Sequence, residues 1–353
     1  MIAFILRRLL YGILVMVLVV TGITSIIFLA PVDPAQLTFG QRADTGTIRA
    51  KTEELGLDQP LHIQLFRYLS DISPVSVITE TPENRRKYGY LRLCGTSAES
   101  ALVLKRPWLR ESYQTGRPVD ELLSDAVPST AILAGSAMLL AVLMGVVLGI
   151  LAALYAGTVW DYLISVVSVF GYSVPSYVVA VLLALVFGYY LGEYTGLNIQ
   201  GSLYVLDDFG EWTLRWGNLV LPAVALGLRP VALIAQLTRS AMLEVLSQDY
   251  IRTATAKGLP RTTVVIRHAL RNALNPLISA VSGWFGALLT GAFFIESVFN
   301  FKGLGDMTVN ALLTFDIPVV LGSVLFTSGV FILINIISDL LYAVADPRIE
   351  LTD

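Results

Sequence analysis

The sequence has few groups that could carry enzymatic or metal chemistry. Its 353 residues include one cysteine, Cys94, and two histidines. A single cysteine cannot form an intramolecular disulfide, and so small a set of ligands argues against a dedicated zinc site. There is no Gly-Lys dipeptide, and therefore no Walker A phosphate-binding loop, and HExxH and GxSxG are also absent. We expect no catalytic residues, no metal site and no cofactor bound by this chain.

Charged residues are scarce as well. They make up 14% of the chain, whereas hydrophobic residues make up 55%, and soluble domains are about one quarter charged. The formal net charge of -3 provides no basic field for binding nucleic acid. The composition therefore indicates a protein whose main solvent is lipid.

Six stretches are long and apolar enough to cross a membrane, which takes about 20 apolar residues. Five contain no Asp, Glu, Lys or Arg, and the sixth is interrupted only by Arg229; they lie at 9–32, 126–160, 162–192, 216–238, 272–295 and 317–338. The first stretch has a basic start like that of a cleaved signal peptide, but its length favours a retained anchor. The sequence predicts an all-α polytopic membrane protein with six transmembrane helices.

The distribution of basic residues predicts the orientation. Arg7 and Arg8 precede the first stretch, and residues 239–272 contain six basic residues and two acidic ones. Residues 193–215 contain four acidic residues and one basic residue. Because basic loops stay on the cytoplasmic side, we expect both termini to be cytoplasmic. This gives an N-terminal end and first span at 1–32, an external domain at 33–125 and a membrane core at 126–353.

The segment 239–272 has the pattern of a short helix with a sharp stop. Ser247 or Asp249 can cap a helix that begins at Tyr250, and Gly258 with Pro260 ends it after about two turns. The small residues Thr253, Ala254 and Ala256 would let another protein approach its backbone closely. The alternative is a solvated basic loop that only obeys the orientation rule.

The spacing of this segment resembles the EAA loop of ABC importer permeases. The resemblance rests on Arg252-Thr253-Ala254, three residues, Gly258, nine residues, and His268-Ala269-Leu270. Arg252 and Thr253 replace the Glu and first Ala of the family triad, a variation similar to the oligopeptide and dipeptide branch. Four further segments resemble that branch: 55–64, 115–123, 291–325 and 338–351. About 72–107 has no counterpart.

The resemblance implies a type I importer permease fold with an external insertion between the first two spans. It also implies a second homologous permease, making a heterodimer, two ABC ATPase subunits that bind ATP and Mg, and an external solute-binding protein in a bacterial inner membrane. The resemblance implies peptides or similar solutes, and nickel complexes and oligosaccharides remain open alternatives. Coupling to the ATPase is implied for Tyr250, Thr253, Ala254, Lys257, Gly258, Leu259 and His268. Tyr250 and Leu259 could instead pack against the chain's own spans.

A stand-alone secondary transporter or channel is the alternative function. Such proteins are expected to have paired carboxylates within their spans or duplicated broken helices. The span interiors contain no acidic residue, and no internal repeat is visible. The importer subunit is therefore the favoured interpretation.

Other candidate site residues lie within or beside the spans. Arg229 and Pro230 are predicted to line a wet cavity and meet an anionic solute, unless Arg229 snorkels to the inner interface. Pro175 should kink the third span. Three acids, Glu296, Asp306 and Asp316, are candidates for an external gate or a docking edge for the binding protein, or else form a solvated rim.

The insertion 72–107 has a positive local balance and alternating apolar and aromatic residues. The pattern predicts one or two short strands around a turn near Gly95. Such a basic, aromatic surface could hold an acidic binding protein. The alternative is a loop that folds on the permease's own outer face.

Overall fold

The computed structural model describes residues 2–29, 52, 58–79, 81, 84–85, 88–97 and 100–345. The helices are α1 (Ile2–Leu29), α2 (Leu61–Ile72), α3 (Val119–Leu154), α4 (Val159–Ser173), α5 (Ser176–Leu183), α6 (Gly192–Thr195), α7 (Gly217–Leu246), α8 (Asp249–Ala256), α9 (Arg261–Thr263), α10 (Arg271–Ala273), α11 (Asn275–Phe299), α12 (Leu304–Leu313) and α13 (Ile317–Ala345). A π-helix, Ala184–Tyr190, continues α5, and a second one, Val264–Leu270, joins α9 to α10. The strands are β1 (Val75–Ile78), β2 (Leu91–Ser97), β3 (Ser100–Leu104), β4 (Tyr204–Leu206) and β5 (Trp212–Leu214).

The apolar stretches form the expected helices. Within the described residues, four helices are long and apolar enough to span a membrane: α1, α3, α7 and α13. The number reaches six if each of two bent pairs forms one span. The first pair is α4 with α5 and its π-helix, and the second pair is the two halves of α11. Each predicted span coincides with one of these helices or pairs. The helical membrane class is confirmed, although the five short strands make the chain not strictly all-α.

Pro175 breaks the third span rather than kinking it. The two halves, Val159–Ser173 and Ser176–Tyr190, meet at 103°. Val174, the residue before the proline, is extended with ψ of 131°, a conformation that the proline ring imposes on its predecessor. Pro175 itself has ψ of 134°, so the helix cannot continue through it. The break follows from two consecutive non-helical residues.

The chain forms two compact units. The first contains Met1–Leu9, Ala126–Asp306 and Val330–Asp353. In its core, α3 and α7 approach closely because three glycines lie at the contact. A methyl group on Gly145 would lie 2.8 Å from the Ile234 side chain, and one on Gly227 would lie 2.8 Å from the carbonyl oxygen of Ala137. Small residues at helix contacts of this kind are typical of membrane proteins, where dispersion drives association.

The second unit contains Leu10–Asp125 and Met307–Gly329. Its sheet has the order β1-β3-β2 with both pairs antiparallel. The insertion has three strands where one or two were predicted, and Gly95 lies inside β2 rather than in a turn. The predicted charges at positions 80, 83, 86, 87 and 99 lie outside the described residues.

One aromatic residue of the insertion, Tyr88, is buried. Asp71 accepts hydrogen bonds from the Tyr88 hydroxyl at 2.8 Å and from Arg110 Nε at 2.9 Å. Burial and the Asp71 charge raise the pKa of Tyr88 above its usual value, so this hydroxyl remains a donor. The Lys105 ammonium lies 3.9 Å from the Tyr88 ring centroid, and both side chains are buried. The expectation of a basic, aromatic surface is therefore wrong for Tyr88 and Lys105.

The exposed face of this sheet is aliphatic. The register places Val75 opposite Leu104 and Val77 opposite Leu102, and Leu104 also pairs with Leu91. Six aliphatic side chains are between 38% and 70% exposed: Val75, Val77, Leu91, Leu93, Leu102 and Leu104. Alternation along a strand explains this pattern, because Ala101 and Val103 point to the buried side.

Candidate coupling and gating sites

The helix expected within residues 239–272 is present as α8. Gln248 occupies the N-cap position in an extended conformation, and no side chain caps the helix there. The predicted caps are therefore wrong: Ser247 Oγ donates to the Glu244 carbonyl at 2.7 Å, and Asp249 lies inside the first turn. An acid in the first turn still interacts favourably with the helix dipole.

One face of α8 is packed against the rest of the first unit. Ile251 and Ala254, three residues apart, are both buried. They belong to an apolar cluster that includes Met242 of α7, Ala153 of α3 and Val265 of the second π-helix. Ala254, which was expected on the outer surface, instead seats the helix on the ends of two long helices. Movement of α8 is therefore tied mechanically to α3 and α7.

The other face of α8 is exposed. Tyr250, Thr253, Ala256 and Lys257 are all accessible. Tyr250 is held at its hydroxyl, which accepts a hydrogen bond from Asn272 Nδ2 at 2.8 Å. The same amide contacts the carbonyl oxygen of the half-buried His268 at 3.2 Å. The exposed face is therefore short, polar and held by the chain itself.

The helix ends at Ala256, just before Gly258, as the Gly258 and Pro260 pattern predicts. Gly258 has φ of +77°, a value that residues with a Cβ atom rarely adopt. A methyl group there would meet no atom within 4 Å, so its cost would be backbone strain alone. Leu259 then faces a cavity of about 370 Å³ beneath α8. Other lining residues come from α3, α7, α8, α9 and the second π-helix: Ala153, Leu154, Leu246, Ile251, Thr255, Arg261, Val264 and Val265.

Arg229 lies on α7 beside the buried Pro230, which lacks a backbone N–H. Its guanidinium is 4.9 Å from the ring centroid of Tyr172, near the end of α4. A guanidinium over an aromatic ring is attracted by the negative face of the ring quadrupole. Both Arg229 and Tyr172 are exposed. This pair brings a cation next to the break at Pro175.

Glu296 is fully buried at the end of α11. One carboxylate oxygen accepts from Thr130 Oγ1 at 2.7 Å, and the other accepts from the backbone N–H groups of Gly305 at 2.7 Å and Asp306 at 3.1 Å. Thr130 Oγ1 in turn accepts the N–H of Leu304 at 2.7 Å. The carboxylate therefore joins α3, α11 and the first turn of α12. Its burial fits neither a docking edge nor a solvated rim.

Asp316 has a similar role in the second unit. It is buried, and its carboxylate accepts from Ser112 Oγ at 2.5 Å and from the N–H of Tyr113 at 3.0 Å. It thereby fastens the segment before α3 to the residue that precedes α13. The docking alternative, which needs exposed side chains, does not fit Asp316 either.

A family model covers most of the membrane core. Residues 145–351 match the model described as binding-protein-dependent transport system inner membrane component, and residues 1–84 match the model of its N-terminal region. The chain belongs to this family. It is therefore a permease subunit of a bacterial ABC importer and is not a catalytic subunit.

Curated relatives extend over nearly the whole chain of this permease. It is 36% identical to the Escherichia coli protein named "Probable D,D-dipeptide transport system permease protein DdpB", over 95% of this chain and 94% of that protein. It is 34% identical to the glutathione transport system permease protein GsiC of Salmonella paratyphi A, over 99% of both chains. It is 33% identical to the dipeptide transport system permease protein DppB of Alkalihalophilus pseudofirmus, over 99% of this chain and 100% of that protein.

The solved structures similar to this permease establish its fold. A chain of the MetNI methionine ABC transporter, in inward-facing conformations, matches with a TM-score of 0.53 at 17% identity, over 64% of this permease and 97% of that chain. The similarity supports the ABC importer permease fold over that of a stand-alone transporter.

One largely buried ion pair of the permease is absent from the sequence predictions. Asp161, in the first turn of α4, accepts from Arg239 Nε at 2.6 Å and from a terminal nitrogen of Arg239 at 2.8 Å. Arg239 was counted only as one of the basic residues of its segment. The sequence feature that could have indicated this ion pair is Asp161 itself, which is the lone acid between two predicted spans.

Proposed function

We propose that this permease forms one half of the membrane path of an importer for peptides or closely similar solutes. The observation that carries the proposal is the set of relatives, which are 33–36% identical over nearly their full length and are named for dipeptides or glutathione. An external binding protein would deliver the solute, and a second, homologous permease would complete the path as a heterodimer.

The test is to purify the complex with its external receptor and identify the bound small molecules by mass spectrometry. Each candidate is then offered to proteoliposomes that contain the receptor, both permeases and the ATPase. We expect a peptide or peptide-like compound to be recovered and taken up with ATP. Recovery and uptake of a sugar or a nickel complex, with no competition by peptides, would refute the peptide assignment.

The proposed coupling element is α8, whose exposed face would sit in a groove of the ATPase. Two features support this role: its buried face is fixed to α3 and α7, and its exposed face is short and has small side chains. Disulfide cross-linking tests the contact. In a chain whose exposed Cys94 is replaced by serine, Lys257→Cys should cross-link to cysteines in the ATPase groove. Arg215→Cys, at an exposed position before α7, is the matched control and should not cross-link.

The proposed topology has six spans with both termini in the cytoplasm. The bent pairs would each form one span, the basic segment 239–272 would face the cytoplasm, and the acidic β4-β5 hairpin would face outward. The charge distribution supports this orientation. The location is the bacterial inner membrane, in keeping with the family.

The proposed path includes Arg229, Pro230 and Pro175. The cation over Tyr172, next to a broken helix, resembles sites in which irregular backbone lines a wet cavity. A peptide carboxylate would approach Arg229 and compete with the ring for its guanidinium. Three acids would stabilise the external gate without contacting the solute: Glu296, Asp306 at the start of α12, and Asp316.

A further inference from the structure

The Asp161–Arg239 ion pair joins α4 to the element that carries α8. Asp161 is only 3% exposed. Both of its oxygens are engaged, because Arg239 donates to each of them and the N–H of Gly157 donates to one at 2.9 Å. Two parallel N–H···O bonds fix the direction of both side chains as well as their distance.

The Arg239 side of the pair belongs to a tightly packed block. A methyl group on Gly149 of α3 would lie 2.6 Å from the carbonyl oxygen of Ala235 on α7, so these two helices touch at their backbones. One turn beyond Arg239, the fully buried Met242 packs in the same cluster as Ile251 of α8. We call α3, α7 and α8 the coupling block, since α8 cannot move without the other two.

The Asp161 side of the pair belongs to a helix with one side against α7 and the rest of its surface exposed. Of the 15 residues of α4, only Asp161 and Ser168 are buried. At the far end of α4, a methyl group on Gly171 would lie 3.6 Å from the Ala232 side chain, which is an ordinary van der Waals distance. α4 therefore lies along α7 with few buried side chains of its own, and the ion pair adds a contact near one end that fixes two side chains in direction as well as distance.

We propose that the Asp161–Arg239 pair transmits the movement of the coupling block to α4, which makes both of them positioning residues for transport. Near its other end α4 carries Tyr172, so a rotation imposed at Asp161 is delivered beside Arg229. The inference rests on the proposed function of α8. It assigns to the pair a role in coupling that is separate from holding the fold together.

The test separates coupling from assembly in the reconstituted complex. Asp161→Asn keeps an acceptor for Gly157 but loses the charge that holds the guanidinium. We expect the complex to assemble and hydrolyse ATP, while receptor-dependent uptake falls about tenfold, so that more ATP is spent per solute. The double variant Asp161→Asn/Arg239→Gln restores a neutral hydrogen-bonded pair and should recover part of the uptake. Asp125→Asn, which removes an exposed ion pair with Arg117, is the matched control and should change nothing.

Spin labels provide a second readout that a merely structural role would leave unchanged. Cysteines replacing the exposed Val166 on α4 and Glu244 on α7 report whether the two helices move together. Their distance should be the same with and without ATP in the wild-type complex and should change with ATP in the Asp161→Asn complex. An unchanged distance in the variant, or uptake and ATP hydrolysis that fall only in proportion to assembled complex, overturns the inference. A wild-type complex without receptor-dependent, ATP-driven uptake would overturn the proposed function itself.

Discussion

Replacing Glu296 tests whether its buried carboxylate holds the first turn of α12. In Glu296→Ala, three donors lose their acceptor: the Thr130 hydroxyl and the N–H groups of Gly305 and Asp306. An unmet buried donor costs about 1 kcal/mol at the low end of measured values, so the variant should lose about 3 kcal/mol. At about 2–4 °C for each kcal/mol, its midpoint of thermal unfolding should fall by about 6–12 °C.

The isosteric variant Glu296→Gln should be much milder. Its amide oxygen can face Gly305 and Asp306, and its NH₂ group can then donate to Thr130 Oγ1, which has a second lone pair beside the one that accepts Leu304. The charge is lost and the Thr130 hydroxyl must find another acceptor, at a combined cost of about 1–2 kcal/mol, while Gly305 and Asp306 keep theirs. The difference between the two variants is therefore a measure of the hydrogen-bond network rather than of charge.

The assay is thermal aggregation of the permease in detergent, followed by the fraction that remains in solution after heating. Gly303→Ala should resemble Glu296→Ala, because its methyl group would lie 2.5 Å from a Glu296 oxygen. Glu193→Ala, at an exposed position, is the control and should match the wild type. If Glu296→Ala is no less stable than Glu296→Gln, the reasoning about this network is wrong.

Four further predictions concern coupling, topology, the path and the insertion. Gly258→Val should abolish uptake while leaving membrane insertion intact, because a β-branched residue is strained at positive φ. The control is Gly283→Ala, whose methyl group meets no atom within 4 Å. Wild-type uptake by the valine variant would remove α8 from the coupling role. Reporter fusions after Gly258 and at the C-terminus should read cytoplasmic, and fusions near residues 87 and 207 should read external; a cytoplasmic result at 87 contradicts the six-span topology. Arg229→Leu should reduce uptake of anionic or zwitterionic solute more than it reduces assembly, and unchanged uptake would favour snorkelling. Deleting 74–105 should abolish receptor-dependent uptake if the insertion docks the receptor. A short linker can close the gap, because the Lys105 N–H donates to the Pro74 carbonyl at 2.8 Å. Survival of receptor-dependent uptake and of its salt sensitivity rules docking out.

Features with a local cause could be predicted from the sequence. The long apolar stretches gave the positions of the membrane helices, because length and hydropathy are enough to define a spanning helix. Gly258 followed by Pro260 gave the end of α8, because positive φ and a missing N–H act on the residue that carries them. The resemblance of the segment around Gly258 to a known loop then gave the family, which the comparisons confirmed.

Features that depend on distant partners could not be predicted from the pattern of residues. The position of Glu296 after an apolar stretch predicts a gate, a docking edge or a solvated rim, yet its carboxylate accepts hydrogen bonds from donors in α3 and α12. Tyr88 and Lys105 were read as surface residues because they lie in a charged segment. Their burial depends on Asp71, which lies 17 residues before Tyr88 and is brought to it by α2 and the sheet.

Asp161 shows how part of this information could have been recovered. The orientation rule places basic residues on the cytoplasmic side, and an acid between two spans on that side runs against it. A carboxylate near the membrane that is not exposed needs a cation within hydrogen-bond distance, since an unpaired buried charge is costly. The segment 239–272, with its six basic residues, was the only predicted cytoplasmic loop rich in cations, so a partner for Asp161 had to be sought there. The charge pattern restricts the partner of Asp161 to the segment 239–272. Only the packing of α4 against α7 selects Arg239 from that segment.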